Sequence, residues 1–142
     1  MSSRISVCGA GSVGALGALL LSAVLAGCGN LSQVSPEGTT EQAVFPEPGP
    51  SADTRGTWPN MDNLRIVRAG MSKSQINDLL GPPHFNEGIL GVREWDYLFH
   101  MQADGGAMQC QYKILYDKDA LARTFLWKPQ ECADLLNNSP RP

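Results

Sequence analysis

Gly70-Met71-Ser72-Lys73-Ser74-Gln75-Ile76-Asn77-Asp78-Leu79-Leu80-Gly81-Pro82-Pro83, followed after a glycine-containing loop by Arg93-Glu94-Trp95-Asp96-Tyr97-Leu98-Phe99, decides the fold. Ser72 followed three residues later by Gln75 is a capping-box pattern, in which each side chain satisfies an orphan amide of the first helical turn. Ile76, Leu79 and Leu80 form one apolar face. Gly81 ends the helix, and Pro82-Pro83 lacks the amides to continue it. The second part alternates, with Trp95, Tyr97 and Phe99 on one side and Glu94, Asp96 and His100 on the other, as a half-buried strand over 92–100 requires.

Working outward, Met61, Leu64 and Val67 recur at helical spacing after Trp58-Pro59. They predict a short helix with Asn60 as N-cap and Gly70 as its stop. Beyond the first strand, Ala103-Asp104-Gly105-Gly106 reads as a turn. A second strand spans 108–117, with Cys110, Tyr112, Ile114 and Tyr116 on one face. Lys118-Asp119 is a tight turn, and 121–127 a third strand. Strands joined by such short links favour an antiparallel meander. The expected fold is therefore α+β: two short N-terminal helices packed on a three-stranded antiparallel sheet, an ααβββ two-layer sandwich over residues 59–136, with 137–142 a disordered tail.

The first third of the 142 residues has a different character. Arg4 precedes an apolar, small-residue run closed by Leu25-Ala26-Gly27-Cys28, which matches a bacterial lipoprotein signal. The expectation is a signal peptide over 1–27, cleavage before Cys28, and a covalent lipid on Cys28. The alternatives are an uncleaved membrane anchor and plain secretory cleavage after Ala26. Gly29, not Asp, follows Cys28, which for lipoproteins implies the outer membrane. Residues 28–58 carry prolines at 36, 46, 48 and 50 with Glu37, Glu41 and Glu47, and read as a flexible tether, with a Pro-rich docking segment as the alternative. Extended, it reaches roughly 100 Å; as a coil it averages about 30 Å.

Once Cys8 leaves with the signal and Cys28 is acylated, Cys110 and Cys132 remain in an oxidising compartment. A hairpin turning at Lys118-Asp119 puts Cys110 opposite Trp127, and Lys128-Pro129 can fold the chain back to bring Cys132 near. A disulfide there closes a loop worth roughly 3 kcal/mol, a large contribution for a core of about 80 residues. Two free buried thiols are the alternative.

No catalytic or metal site is expected. Glu94 and Asp96 lie about 7 Å apart on one strand face, a spacing some paired-carboxylate enzymes use, but carboxylates alternating along a strand are ordinarily its solvated side. His84 and His100 lack a third ligand at matching spacing. Asp117-Lys118-Asp119 suits a turn better than a calcium loop. The formal charge of −3 and the export signal argue against a nucleic-acid partner. Phe85, Ile89 and Leu90, set in a loop between glycines, either face a partner or cap the open end of the core.

The run from Leu64 through Gly70-Met71-Ser72, Ile76 and Leu79-Leu80-Gly81-Pro82 to Trp95, Tyr97 and Phe99 resembles the SmpA/OmlA (BamE-like) family of outer-membrane lipoproteins, over roughly residues 60–127. The resemblance implies two helices on a three-stranded antiparallel sheet and a non-enzymatic role supporting β-barrel assembly and envelope integrity, with no cofactor beyond the lipid on Cys28. It implies a lipid-anchored domain facing the periplasm. The implied partners are the outer-membrane β-barrel assembly protein, its lipoproteins and anionic phospholipid. The Cys110–Cys132 pair, the Trp-Asp-Tyr strand and the acidic tether also look like a subgroup in which such a module precedes an OmpA-like peptidoglycan-binding domain. A stand-alone envelope scaffold or inhibitor-like binding protein is the alternative function.

Overall fold

The structure, a computed structural model, describes residues 32–50, 55–85 and 91–138. Cys28, Ile89 and Leu90, and the expectations attached to them, lie outside those residues. Helix α1 spans Met61–Ile66, α2 Lys73–Leu80 and α3 Glu131–Asn138; the strands are β1 Glu94–Ala103, β2 Gly106–Tyr116 and β3 Ala122–Lys128. The sheet is antiparallel in the order β1-β2-β3, the α+β architecture expected.

Local chemistry explains the helices. The Asn60 side chain accepts the amides of Asp62 and Asn63 and opens α1, satisfying donors that have no partner within the helix. The helix stops at Ile66 with Val67 as its C-cap, short of the expected Gly70. Gly70 instead donates its N–H to Ala122 O, and Ala122 returns its N–H to Met71 O, so the inter-helix link is drawn onto the β3 edge. In α2 both arms of the Ser72–Gln75 capping box are formed and Gly81 is the C-cap. Tyr97 OH donates to Gly81 O at 3.0 Å, tying the end of α2 to the sheet.

The core lies between the helices and one sheet face. Leu64, Ile76 and Cys132 from the three helices pack with Trp95, Tyr97, Phe99, Met101, Tyr112, Ile114 and Tyr116. The aromatics meet at favourable offsets, Tyr97 stacking on Phe99 at 5.4 Å and Trp95 meeting Tyr116 edge-on at 5.5 Å. Cys110 and Cys132 are joined by a disulfide, with Cα atoms 5.9 Å apart.

Four features depart from expectation. First, a third helix, α3, follows β3 where the sequence reading assigned no element. After the cis Lys128–Pro129 bond, Cys132, Leu135 and Leu136 form an apolar stripe, and Glu131 and Asp134 sit in the first turn, where acids favour a helix. Second, the β2–β3 turn runs over 117–121: Asp117 Oδ1 accepts the amides of Asp119 and Leu121. A register shift at Leu115/Tyr116 follows, so Tyr112, not Cys110, lies opposite Trp127.

Third, residues 32–46, expected to belong to a free tether, lie against the outer face of the sheet. Arg93 donates to Val34 O and Ser35 O, Lys118 N–H to Pro36 O, Thr124 Oγ1 to Gly38 O and Gln111 Nε2 to Pro46 O. Val44 N–H returns to Ser32 Oγ at 2.9 Å, closing 32–46 into a compact loop. Proline-rich backbone carries few donors, and here its carbonyls are served by side chains of the sheet, while Glu37, Glu41 and Glu47 point to solvent. Fourth, that cover removes Glu94 and Asp96 from water, contrary to their expected place on a solvated face; they are 3% and 7% exposed.

Candidate functional site

Two surfaces carry chemistry, one on each side of the sheet. On the helical side an open cleft of about 380 Å³ is lined by Leu64, Arg65 and Val67 of the α1 region, Tyr112, Phe125 and Trp127 of the sheet, and Leu136 and Asn137 of α3. It lies between the α1 region and α3, over β2 and β3. Tyr112 and Trp127 meet at 4.3 Å and Tyr112 stacks on Phe125 at 6.2 Å, giving a flat aromatic floor. Burial, with a smaller contribution from Tyr97, holds the Tyr112 phenol above its ordinary pKa, so it stays neutral. Arg65 closes one end: its Nη1 pairs with Asp62 at 3.0 Å and its Nε donates to Leu136 O at 3.2 Å. A rigid aromatic floor with one polar rim suits an apolar side chain of another molecule. It offers no nucleophile beside a base.

On the outer face, Asp96 stands directly across from Lys113 in the β1–β2 register. Lys113 Nζ lies 2.7 Å from Asp96 Oδ2 and 2.8 Å from Glu94 Oε2, fully buried. The Ser32 N–H donates to both Glu94 oxygens, at 3.0 and 3.2 Å. The Phe45 ring covers the ammonium at 5.4 Å, a cation–π contact in a desolvated place. Asp96 Oδ1 is buried with no hydrogen-bond partner among the described residues. Burial accordingly raises the Asp96 pKa to about 6; Lys113 opposes the shift and Glu94 adds to it. Two carboxylates and one ammonium, nearly buried beneath a loop and paired with one another, make a structural clamp.

The remaining candidates fall into place individually. His84 accepts the Leu98 N–H on Nδ1 at 3.0 Å and lies 3.2 Å from Thr57 Oγ1 through Nε2. His100 Nε2 lies 2.8 Å from Arg55 O. Both therefore bind backbone along the β1 edge, and among the described residues no group of three metal-binding side chains occurs. Phe85 is half-buried on that same edge, its N–H directed at Asp96 O. It is thus remote from the aromatic cleft, which flanks β3. Asp117 is held below the usual carboxylate range chiefly by the Leu121 amide and then by Arg123, 2.6 Å away; it shapes a turn.

The cleft was not singled out from the sequence. Its floor residues Phe125 and Trp127 sit at alternate positions of a strand, a signal for core packing rather than for a groove. Only the position of α3 leaves them half open. Residues 56–125 match the family model described as the outer membrane protein assembly factor BamE domain. The match starts at Gly56, next to the backbone bridge of Thr57 to Phe99 on β1, and ends at Phe125 in the cleft floor.

Proposed function

From a chain that carries a BamE-family domain over residues 56–125, we propose a non-enzymatic accessory lipoprotein of the outer membrane. In this reading it supports assembly of β-barrel outer-membrane proteins and the integrity of the envelope. It is anchored by a lipid on Cys28, with its domain facing the periplasm. Its partners are the β-barrel assembly protein and the lipoproteins that accompany it, with anionic phospholipid at the bilayer. The observation that carries this proposal is the family match over residues 56–125, which takes in α1, α2, β1, β2 and the first part of β3. The aromatic cleft supports it, offering a floor of Tyr112, Phe125 and Trp127 to an apolar protein side chain. We assign the primary partner contact to that cleft, with Phe125 and Trp127 as anchors. A second contact is assigned to Phe85 on the opposite edge, together with Ile89 and Leu90, which follow it in the sequence. The Cys110–Cys132 bridge holds α3, and with it one wall of the cleft, in place.

Deleting the gene tests the assembly role against the stand-alone scaffold role. The expected result is a reduced outer-membrane level of β-barrel proteins, restored by the wild-type gene and not by a Cys28→Ala version. Unchanged barrel-protein levels beside a damaged envelope favour the scaffold.

A further inference from the structure

We propose that the loop 32–46 is a standoff latch: docked on the outer face of the sheet, it holds the domain against the lipid surface, with the β2–β3 turn toward the bilayer. The inference rests on the lipid-anchor reading above and goes beyond it by giving the anchored domain a distance and an orientation.

The geometry has three parts. Ser32, the first described residue, is bonded to Glu94 at the start of β1. Only four residue steps separate it from Cys28, a reach of at most about 14 Å. Were the loop free, the steps from Cys28 to Arg55 would allow up to roughly 95 Å extended and about 30 Å as a coil. Docking therefore converts a long leash into a short one.

Second, the bonds fix which end of the sheet is near. Glu94 pairs with Leu115 beside the β2–β3 turn, and Pro36 accepts the Lys118 N–H from that turn. The opposite end, the Ala103–Gly106 hairpin, lies a strand length away, about 30 Å for ten residues.

Third, the loop is built to dock in one way. Gly38 has φ +80° and is so close to β3 that a Cβ there would stand 2.8 Å from Arg123 Cβ and 2.9 Å from the Asp117 amide nitrogen. A side chain at 38 is thus excluded by backbone conformation and by space together. Beneath the loop, the Glu94–Lys113–Asp96 cluster is kept from water only while the loop stays down. Releasing the loop takes the Ser32 amide from Glu94 and the Phe45 ring from Lys113.

The test uses the acylated full-length mature protein in vesicles of phosphatidylethanolamine and phosphatidylglycerol carrying a fluorescent headgroup acceptor. A donor dye is placed on Asp119→Cys or on Asp104→Cys, both exposed turn positions. Energy transfer from position 119 should exceed that from 104. Gly38→Ala should lower transfer from 119 and bring the two positions to similar values. Arg93→Ala, which loses the Val34 and Ser35 contacts, should act in the same direction. Hydrogen exchange at the Val44 and Lys118 amides, both bonded within the docked loop, should speed up in either variant. Equal transfer from the two sites in acylated wild-type protein overturns the latch, as does a difference that survives Gly38→Ala once those amides exchange freely. A mature protein found by mass spectrometry to be unacylated overturns the anchor reading and the latch with it.

Discussion

Replacing Lys113 with Met removes the cation that pairs with both Glu94 and Asp96, and leaves two carboxylates facing each other under a loop. The Lys113 side chain is 0% exposed, Glu94 2% and Asp96 9%, with ion-pair distances of 2.8 and 2.7 Å. Surface ion pairs contribute at most about 1 kcal/mol. Breaking a buried pair from one side costs about 3–5 kcal/mol, because the partner charge stays desolvated. The buried geometry selects the larger figure. In a small domain about 1 kcal/mol moves Tm by about 4–8 °C, so Lys113→Met should lower Tm by about 12 °C or more. Guanidinium chloride unfolding of the disulfide-intact protein, followed by tryptophan fluorescence, measures the change as a shift in midpoint at unchanged slope. A loss under about 1 kcal/mol would refute the reasoning, since it is the value of an exposed pair. A companion variant sharpens the test. Lys113→Met combined with Glu94→Gln and Asp96→Asn removes all three charges together and should recover most of the lost stability.

Other perturbations address separate links. The Asp96 pKa is raised by burial from 3.8 to about 6, above its unfolded value. Its contribution to stability is therefore fully present below pH 3.8 and lost as pH rises through about 6. The midpoint of unfolding should fall between about pH 4 and 6, and Asp96→Asn should flatten that dependence when the two proteins are titrated side by side. Ser72→Ala breaks the capping box of α2 and should cost about 1 kcal/mol, with faster exchange confined to that helix. Reducing Cys110–Cys132, whose loop has a sequence separation of 22, should cost about 2–5 kcal/mol and free α3 before the sheet melts. Phe125→Arg puts a charge on the cleft floor; it should abolish copurification with the barrel-assembly protein while shifting Tm by only a few degrees.

The parts of the fold governed by local rules were legible in the sequence. Ser72, Gln75, Gly81 and Pro82 bound α2 by themselves, and the alternation of Trp95, Tyr97 and Phe99 set the core face of β1. The meander followed from short links. What escaped depends on contacts remote in sequence. The loop 32–46 reads as solvated by composition because its prolines and glutamates resist a core. It nevertheless docks, through Arg93 and Gln111 bonds spanning 58 to 65 residues that no local window contains. The burial of Glu94 and Asp96 escaped for the same reason. Their partner was within reach of the pattern, since an antiparallel register places Lys113 across from Asp96. The helix α3 carried its own signal in Cys132, Leu135 and Leu136, but it is short and ends in Asn137-Asn138, where the apolar repeat fades. The cleft depended on α3 and was hidden with it.

The assembly role rests most directly on which proteins accompany the lipidated chain in its own membrane. Affinity purification from gently solubilised outer membranes, against an unrelated lipoprotein as control bait, reads this out by mass spectrometry. The expected result is enrichment of the β-barrel assembly protein with its companion lipoproteins, lost in Phe125→Arg. Their absence from the wild-type eluate, even after crosslinking in cells, would contradict membership of the assembly complex and leave the fold serving a separate envelope task.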